Sequence, residues 1–132
     1  MQRWNQHATM LGNKRILLVE DEFFIVQDLA RAFTEAGAII IGPAASVAEA
    51  LRLIVASAAL DGAVLDINLQ GETVYSVADA LMTRGVPFVF ATGYDRDVIP
   101  PRFDAYLRCE KPVKPEKVAQ ALFDPAMREI AR

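Results

Sequence analysis

An acidic run, a single aspartate, a threonine and a lysine carry the chemistry this chain offers. Glu20-Asp21-Glu22 follow the apolar run Ile16 to Val19, Asp66 follows Ala63 to Leu65, Thr92 lies just past Phe88 to Phe90, and Lys111 lies beyond a weaker run, Ala105 to Leu107. If the first and third runs are neighbouring strands, about 4.8 Å apart, their carboxylates meet. Two such charges about 5 Å apart repel by on the order of 3 kcal/mol at an effective dielectric near 20, so the cluster calls for a positive partner. Every ligand atom on offer is oxygen, with no histidine or thiolate beside it. That selects a hard divalent cation, and Mg²⁺, which keeps waters and bridges carboxylate to phosphate, is the expected one. A carboxylate is also a nucleophile toward phosphorus when the transferring charge is neutralised. In that chemistry Asp66 attacks, Mg²⁺ on Glu20 and Asp21 holds one phosphoryl oxygen, and Lys111 and Thr92 hold the others.

These groups converge only if the chain folds in a particular way. From Lys14 onward, short continuous apolar runs alternate with helical spacing, the pattern of an α/β chain. The strands are expected at Ile16 to Val19, Ile39 to Ile41, Ala63 to Leu65, Phe88 to Phe90 and Ala105 to Leu107. Their continuous apolarity predicts a doubly wound five-stranded parallel sheet of flavodoxin-like order 2-1-3-4-5 with helices on both faces. Ile25, Leu29, Ala32, Phe33 and Ala36 form one helical stripe, stopped by Gly37. Val47, Leu51, Ile54, Val55 and Ala58 form a second, opened by the capping box Ser46 to Glu49. A third runs from about Thr73 to Arg84, with Val74, Val77, Ala78 and Leu81 inward and Gly85 as its stop. Pro100 and Pro101 reduce Asp95 to Arg102 to a short helical turn or a loop. A last helix starts near Pro115, buries Val118, Ala121 and Leu122, and meets Pro125. Four of the five strands then end at the polar groups named above, on the edge where ligands of such sheets bind.

The 132 residues, 53% hydrophobic and 23% charged, suit one folded domain, read as 14–132 behind a flexible amino-terminal arm of 1–13 that contains Trp4. A net charge of -3 leaves no basic footprint, so nucleic acid is not an expected partner. No apolar run approaches the roughly 20 residues of a membrane span. A lone Cys109 and a lone His7 exclude an internal disulfide and a Cys/His metal cage, and a reducing cytoplasm fits. Cys109 itself reads as a small buried filler rather than a redox-sensitive thiol.

The motifs Ile16-Leu-Leu-Val-Glu-Asp-Glu22, Leu65-Asp66-Ile-Asn68, Thr92 and Lys111-Pro112 resemble those of a response-regulator receiver domain, over almost all of 14–123. Phe90-Ala-Thr-Gly-Tyr94 resembles the FATGUY group of receivers, many of which stand alone. The resemblance implies that Asp66 is phosphorylated by a histidine kinase or histidine phosphotransferase in a phosphorelay. It implies that Glu20 and Asp21 are metal carboxylates, with the Asn68 backbone carbonyl completing the Mg²⁺ ligands. It implies further that Lys111 pairs with the phosphoryl group through a Lys111-Pro112 bond that is commonly cis, and that Thr92 moves toward the phosphate. Gly93 suits a close approach that a side chain would crowd.

Three departures stand out. Arg108 occupies the place of the family's switch aromatic, so Tyr106 and Tyr94 are the candidates to replace it, against a plain role as packing aromatics. Leu69-Gln70-Gly71 lacks the usual proline, and Glu20 replaces a commoner aspartate.

The expected function is therefore a stand-alone signalling module, not an enzyme, that acts through contacts with protein partners; a monomer is expected, with a dimer as the other state. The residues after Lys111 suffice for one helix, so no output domain is expected. The alternative is a Mg²⁺-dependent phosphatase of haloacid-dehalogenase type, which needs an aspartate where this chain has Asn68. A flavin carrier ranks last, because Glu20-Asp21-Glu22 repel a phosphate.

Overall fold

The alternation of apolar runs and amphipathic stripes folds as a three-layer arrangement in the computed structural model, which describes residues 10–69, 71–93, 99–106 and 108–123. Five parallel strands, β1 (Arg15–Val19), β2 (Ile39–Ala44), β3 (Gly62–Asp66), β4 (Phe88–Thr92) and β5 (Arg108–Glu110), lie in the order 2-1-3-4-5, as the sequence predicts. The helices are α1 (Phe23–Glu35), α2 (Val47–Ala56), α3 (Tyr75–Thr83) and α4 (Pro115–Phe123), with a 3₁₀ turn at Pro101–Phe103.

Strand parity sorts the core into two layers. Leu17, Val19, Leu65, Phe88 and Phe90 face α2 and α3, where Ala50, Ile54, Val77, Ala78 and Leu81 are buried. Ile16, Leu18, Val64, Val89 and Ala91 face α1 and α4, where Leu29, Phe33, Val118 and Leu122 are buried. Each large side chain withdrawn from water in this way contributes about 1.5–3 kcal/mol.

Three expectations need correction. Val55 is 85% exposed and Ala58 lies past the end of α2, also exposed. The buried stripe of α2 runs instead through Ala50 and Ile54, with Val47 and Leu51 packed beside them, the three-and-four spacing of one helix face. The fifth strand is Arg108–Glu110, not Ala105 to Leu107: Leu107 lies outside the described residues, and Tyr106 closes the turn at Pro101–Phe103 by donating its N–H to the Phe103 carbonyl at 2.9 Å. As the outer strand, β5 can be polar, because only central strands must be apolar on both faces. Finally, α3 starts at Tyr75, because Asn68–Leu69 and Glu72–Thr73 pair as a short antiparallel ribbon before it.

At the amino terminus, residues 1–9, including Trp4, lie outside the described residues. Of the rest of the stretch read as an arm, Leu11 is fully buried, and the N–H groups of Leu11 and Asn13 donate to the carbonyls of Ala36 and Gly37 at 2.8 Å, tying it to the end of α1.

Candidate functional site

The register of the sheet brings the polar strand ends to one edge. Val19 pairs with Leu65, Asp66 with Ala91, and Thr92 with Glu110, so Glu20, Asp66, Thr92 and Lys111 all stand at the carboxyl ends of adjacent strands. The Lys111 N–H donates to the Thr92 carbonyl at 2.9 Å, extending the β4–β5 ladder into the site.

On the other side, β2 passes through a bulge at Gly42, φ +101°, and Pro43. Proline is tolerated there because β2 is an edge strand. Beyond the bulge, the Ala44 carbonyl accepts the N–H of Glu20 at 2.9 Å, which fixes where β1 releases the acidic run. The Gly-Pro pair inside an apolar run signals this bulge in the sequence; its role in positioning Glu20 appears only once β2 is seen beside β1.

Glu20, Asp21 and Asp66 each bring a carboxylate oxygen to within 4.8 Å of the others. Glu20 and Asp66 are 3% and 8% exposed, so water screens their repulsion poorly. The Lys111 ammonium lies 3.0 Å from Glu20 Oε1 and 3.3 Å from Asp66 Oδ1. Glu20 Oε1 is buried, with the Lys111 ammonium as its charged neighbour. Burial, then the charge and hydrogen bond of Glu20, push the Asp66 carboxyl up to about 7, against the opposing pull of Lys111. Burial pulls Lys111 down, but the two carboxylates beside it outweigh that and hold it above its ordinary value. An all-oxygen donor set with excess negative charge, most of it buried, fits a hard divalent cation.

The remaining candidates are placed as follows. Thr92 is 3% exposed at the end of β4. Asn68 is exposed in the ribbon, where its strand partner is Thr73. Lys111-Pro112 is cis, as expected. A Cβ at Gly93 meets nothing within 4 Å among the described residues. Tyr94 lies outside the described residues. Tyr106 precedes β5 and stacks on Phe88 with ring centroids 4.2 Å apart and planes at 5°, within an aromatic cluster that includes Phe90 and Phe103. Cys109 packs against the α1/α4 layer, and burial raises its thiol despite Lys117, so it is a poor nucleophile. A cleft of about 560 Å³ opens beside Lys111 between α1 and the start of α4, lined by Ile25, Leu29, Ala32, Pro112 and Val113 among others. Among the described residues no helix is long and apolar enough to cross a membrane.

Fold and site together define a doubly wound α/β domain whose ligand edge is acidic and carries one lysine. No family model matches the sequence, and no curated protein does. Among solved structures, the chain is similar to SdrG from Sphingomonas melonis Fr1, with 36% identity and a TM-score of 0.74 over 89% of this chain and 97% of that one. A response regulator receiver protein from Sinorhizobium medicae WSM419 shares the fold at 24% identity and a TM-score of 0.68, over 92% of this chain and 99% of that one. So does a response regulator protein from Burkholderia pseudomallei, described with a phosphorylated aspartic acid, a calcium ion and citrate, at 21% identity and a TM-score of 0.71, over 90% of this chain and 72% of that one. The chain belongs to the response-regulator receiver family.

Proposed function

We propose that this receiver takes a phosphoryl group onto Asp66 from the phosphohistidine of a kinase or phosphotransferase and passes the signal on by protein contact. The observation that carries the reading is the meeting of Asp66 with Lys111, at 3.3 Å, inside the carboxylate cluster at the strand ends. An Asp66 carboxylate oxygen attacks phosphorus, the phosphorus–nitrogen bond of phosphohistidine breaks, and the imidazole leaves with the electron pair and takes up a proton. Lys111 and the Thr92 hydroxyl meet phosphoryl oxygens as charge builds on them. Glu20, Asp21, Asp66 and the Asn68 backbone carbonyl would hold Mg²⁺, which supplies neutralisation of the carboxylates and of the transferring group.

Three features support the reading. The related Burkholderia pseudomallei response regulator combines a phosphorylated aspartic acid with a calcium ion on the same fold. The exposed rings of Phe23 and Phe24, 64% and 73% accessible beside the acidic run, offer the donor protein an apolar surface next to the acceptor. Asn68 stands where a phosphatase of haloacid-dehalogenase type needs an aspartate as its general acid, which disfavours that alternative.

Beryllofluoride, which imitates a phosphoryl group on a carboxylate, tests the reading. With Mg²⁺ present, ¹⁹F NMR should show a bound resonance for the wild-type protein and none for Asp66→Asn. A bound signal that persists in the variant would place the acceptor elsewhere.

A further inference from the structure

The cleft of about 560 Å³ between α1 and the start of α4 is walled by Ile25, Leu29, Ala32, Pro112, Val113 and Pro115. Its size lies in the roughly 300–1,000 Å³ range of cavities that take organic groups, and a wall of this kind suits a flat apolar side chain. Exposed Asp28 stands on the α1 side of the rim and exposed Lys114 on the α4 side. The chain carries a group of the right kind within reach. Met10 packs on the α1/α4 layer, to which Leu29 and Val113 also belong, and Leu11 is tied to Ala36 at the carboxyl end of α1. Residues 1–9, which lie outside the described residues, therefore join the body on the face that holds the cleft. Back along α1 from Ala36, Ala32 is about 6 Å away and Ile25 about 16 Å, at 1.5 Å per residue. Trp4 precedes Met10 by six residues, an extended reach of about 20 Å. It is the one tryptophan of the chain, Arg3 stands beside it, and residues 1–9 contain no acidic residue. A group on so short a tether acts at an effective concentration on the order of millimolar, so a contact too weak to hold a free peptide is still occupied.

We propose that residues 1–9 run back along α1 and seat the Trp4 indole in the cleft between α1 and α4, with Arg3 toward Asp28. The segment arrives along α1, the acidic side of the rim, where a cation is favoured. The seated indole covers apolar wall that is otherwise open to another molecule, so a partner for this face must first displace it. That holds whether or not Asp66 takes a phosphoryl group.

Trp4 is its own probe, being the chain's single tryptophan. In the full chain its fluorescence should lie to the blue of N-acetyltryptophanamide in the same buffer and resist quenching by acrylamide. Ala32→Glu and, separately, Ile25→Glu each place a carboxylate on a half-buried part of the wall, and each should return the emission to that of the free compound. As an independent readout, Trp4→Ala changes none of the described residues. It should shift the methyl resonances of Ile25, Leu29 and Val113 by removing a ring current, while those of Ile54, on the other face of the sheet, stay in place. If a wall variant fails to fold, these methyl shifts decide. An indole already exposed in the wild-type protein would overturn the proposal, as would methyl resonances of the cleft that ignore Trp4→Ala. A blue shift lost on dilution would seat Trp4 in a second copy of the chain and overturn it as well. No cation or phosphoryl donor enters these measurements, so their failure is separate from a failure of beryllofluoride to bind at Asp66.

Discussion

Replacing Asp66 by asparagine should stabilise the cation-free protein above neutral pH. Asp66 is 8% exposed, and burial first, then Glu20, push its carboxyl up to about 7 from the ordinary 3.8. At about 1.36 kcal/mol per pKa unit, a shift of that size sets a ceiling of about 4 kcal/mol on what the ionised form costs the fold. The opposing pull of Lys111 is already contained in that net value; solvent screening at the open edge of the sheet reduces the gain realised to about 2 kcal/mol. The sign follows from proton counting. Between the unfolded value near 3.8 and the folded value near 7, the folded chain keeps a proton that the unfolded chain has released, so wild-type stability falls as pH rises through that window and levels off above it. The variant has no such proton, so the two stability profiles should meet near the lower end and part by about 2 kcal/mol above the upper end. For a chain of this size that is roughly 8 °C in melting temperature. Urea titrations in chelator, stepped across the window, measure the difference. Parallel profiles, or a variant less stable than wild type above neutral pH, would show that the buried charge at Asp66 is no burden on the fold.

Other outcomes concern the frame around the site. Gly62→Ala places a Cβ 2.6 Å from Leu122 Cδ1 and 3.3 Å from Phe123 Cζ, so it should cost about 2 kcal/mol in urea unfolding; an unchanged midpoint would mean α4 shifts freely. The Arg84 guanidinium donates to the carbonyls of Ile54 and Ser57 at the end of α2, the latter at 2.8 Å. Arg84→Met should therefore cost about 1 kcal/mol and speed hydrogen exchange at the Ser57 N–H, which bonds the Leu53 carbonyl; unaltered exchange there would discount the clamp. Tyr106→Ala should lose about 2 kcal/mol with its stack on Phe88 while beryllofluoride binding persists, and loss of binding would give Tyr106 a part in the site beyond packing.

Much of this was legible because central parallel strands declare themselves. The runs at Ile16, Ala63 and Phe88 are apolar on both faces, and polar residues end them, so the fold and the meeting of those polar groups could be read from the same few positions. Gly37 and Gly85 marked their helix ends because each sits at positive φ, +96° and +69°. The edge of the sheet was harder. Arg108–Glu110 needs no apolar run, and Ala105 and Tyr106 of the apolar run nearby belong to a turn whose Tyr106 packs on Phe88 instead of entering a strand. Val55 misled because the buried face of α2 runs through Ala50 and Ile54, and the residue after Ile54 is turned about 100° away from that face. The contact of Glu20 Oε1 with Lys111 had no sequence signal, since it depends on the Gly42 bulge and on where Lys111 arrives from β5.

The most direct measurement is chemical location of the phosphoryl group. After incubation with acetyl phosphate and Mg²⁺, borohydride reduces an aspartyl phosphate to homoserine with release of phosphate, and peptide mass spectrometry finds the converted residue. Conversion at Asp66 alone, lost when the cation is chelated, is the expected result. Conversion at another carboxylate, or at none in a folded sample, would contradict the assignment of Asp66 as the acceptor.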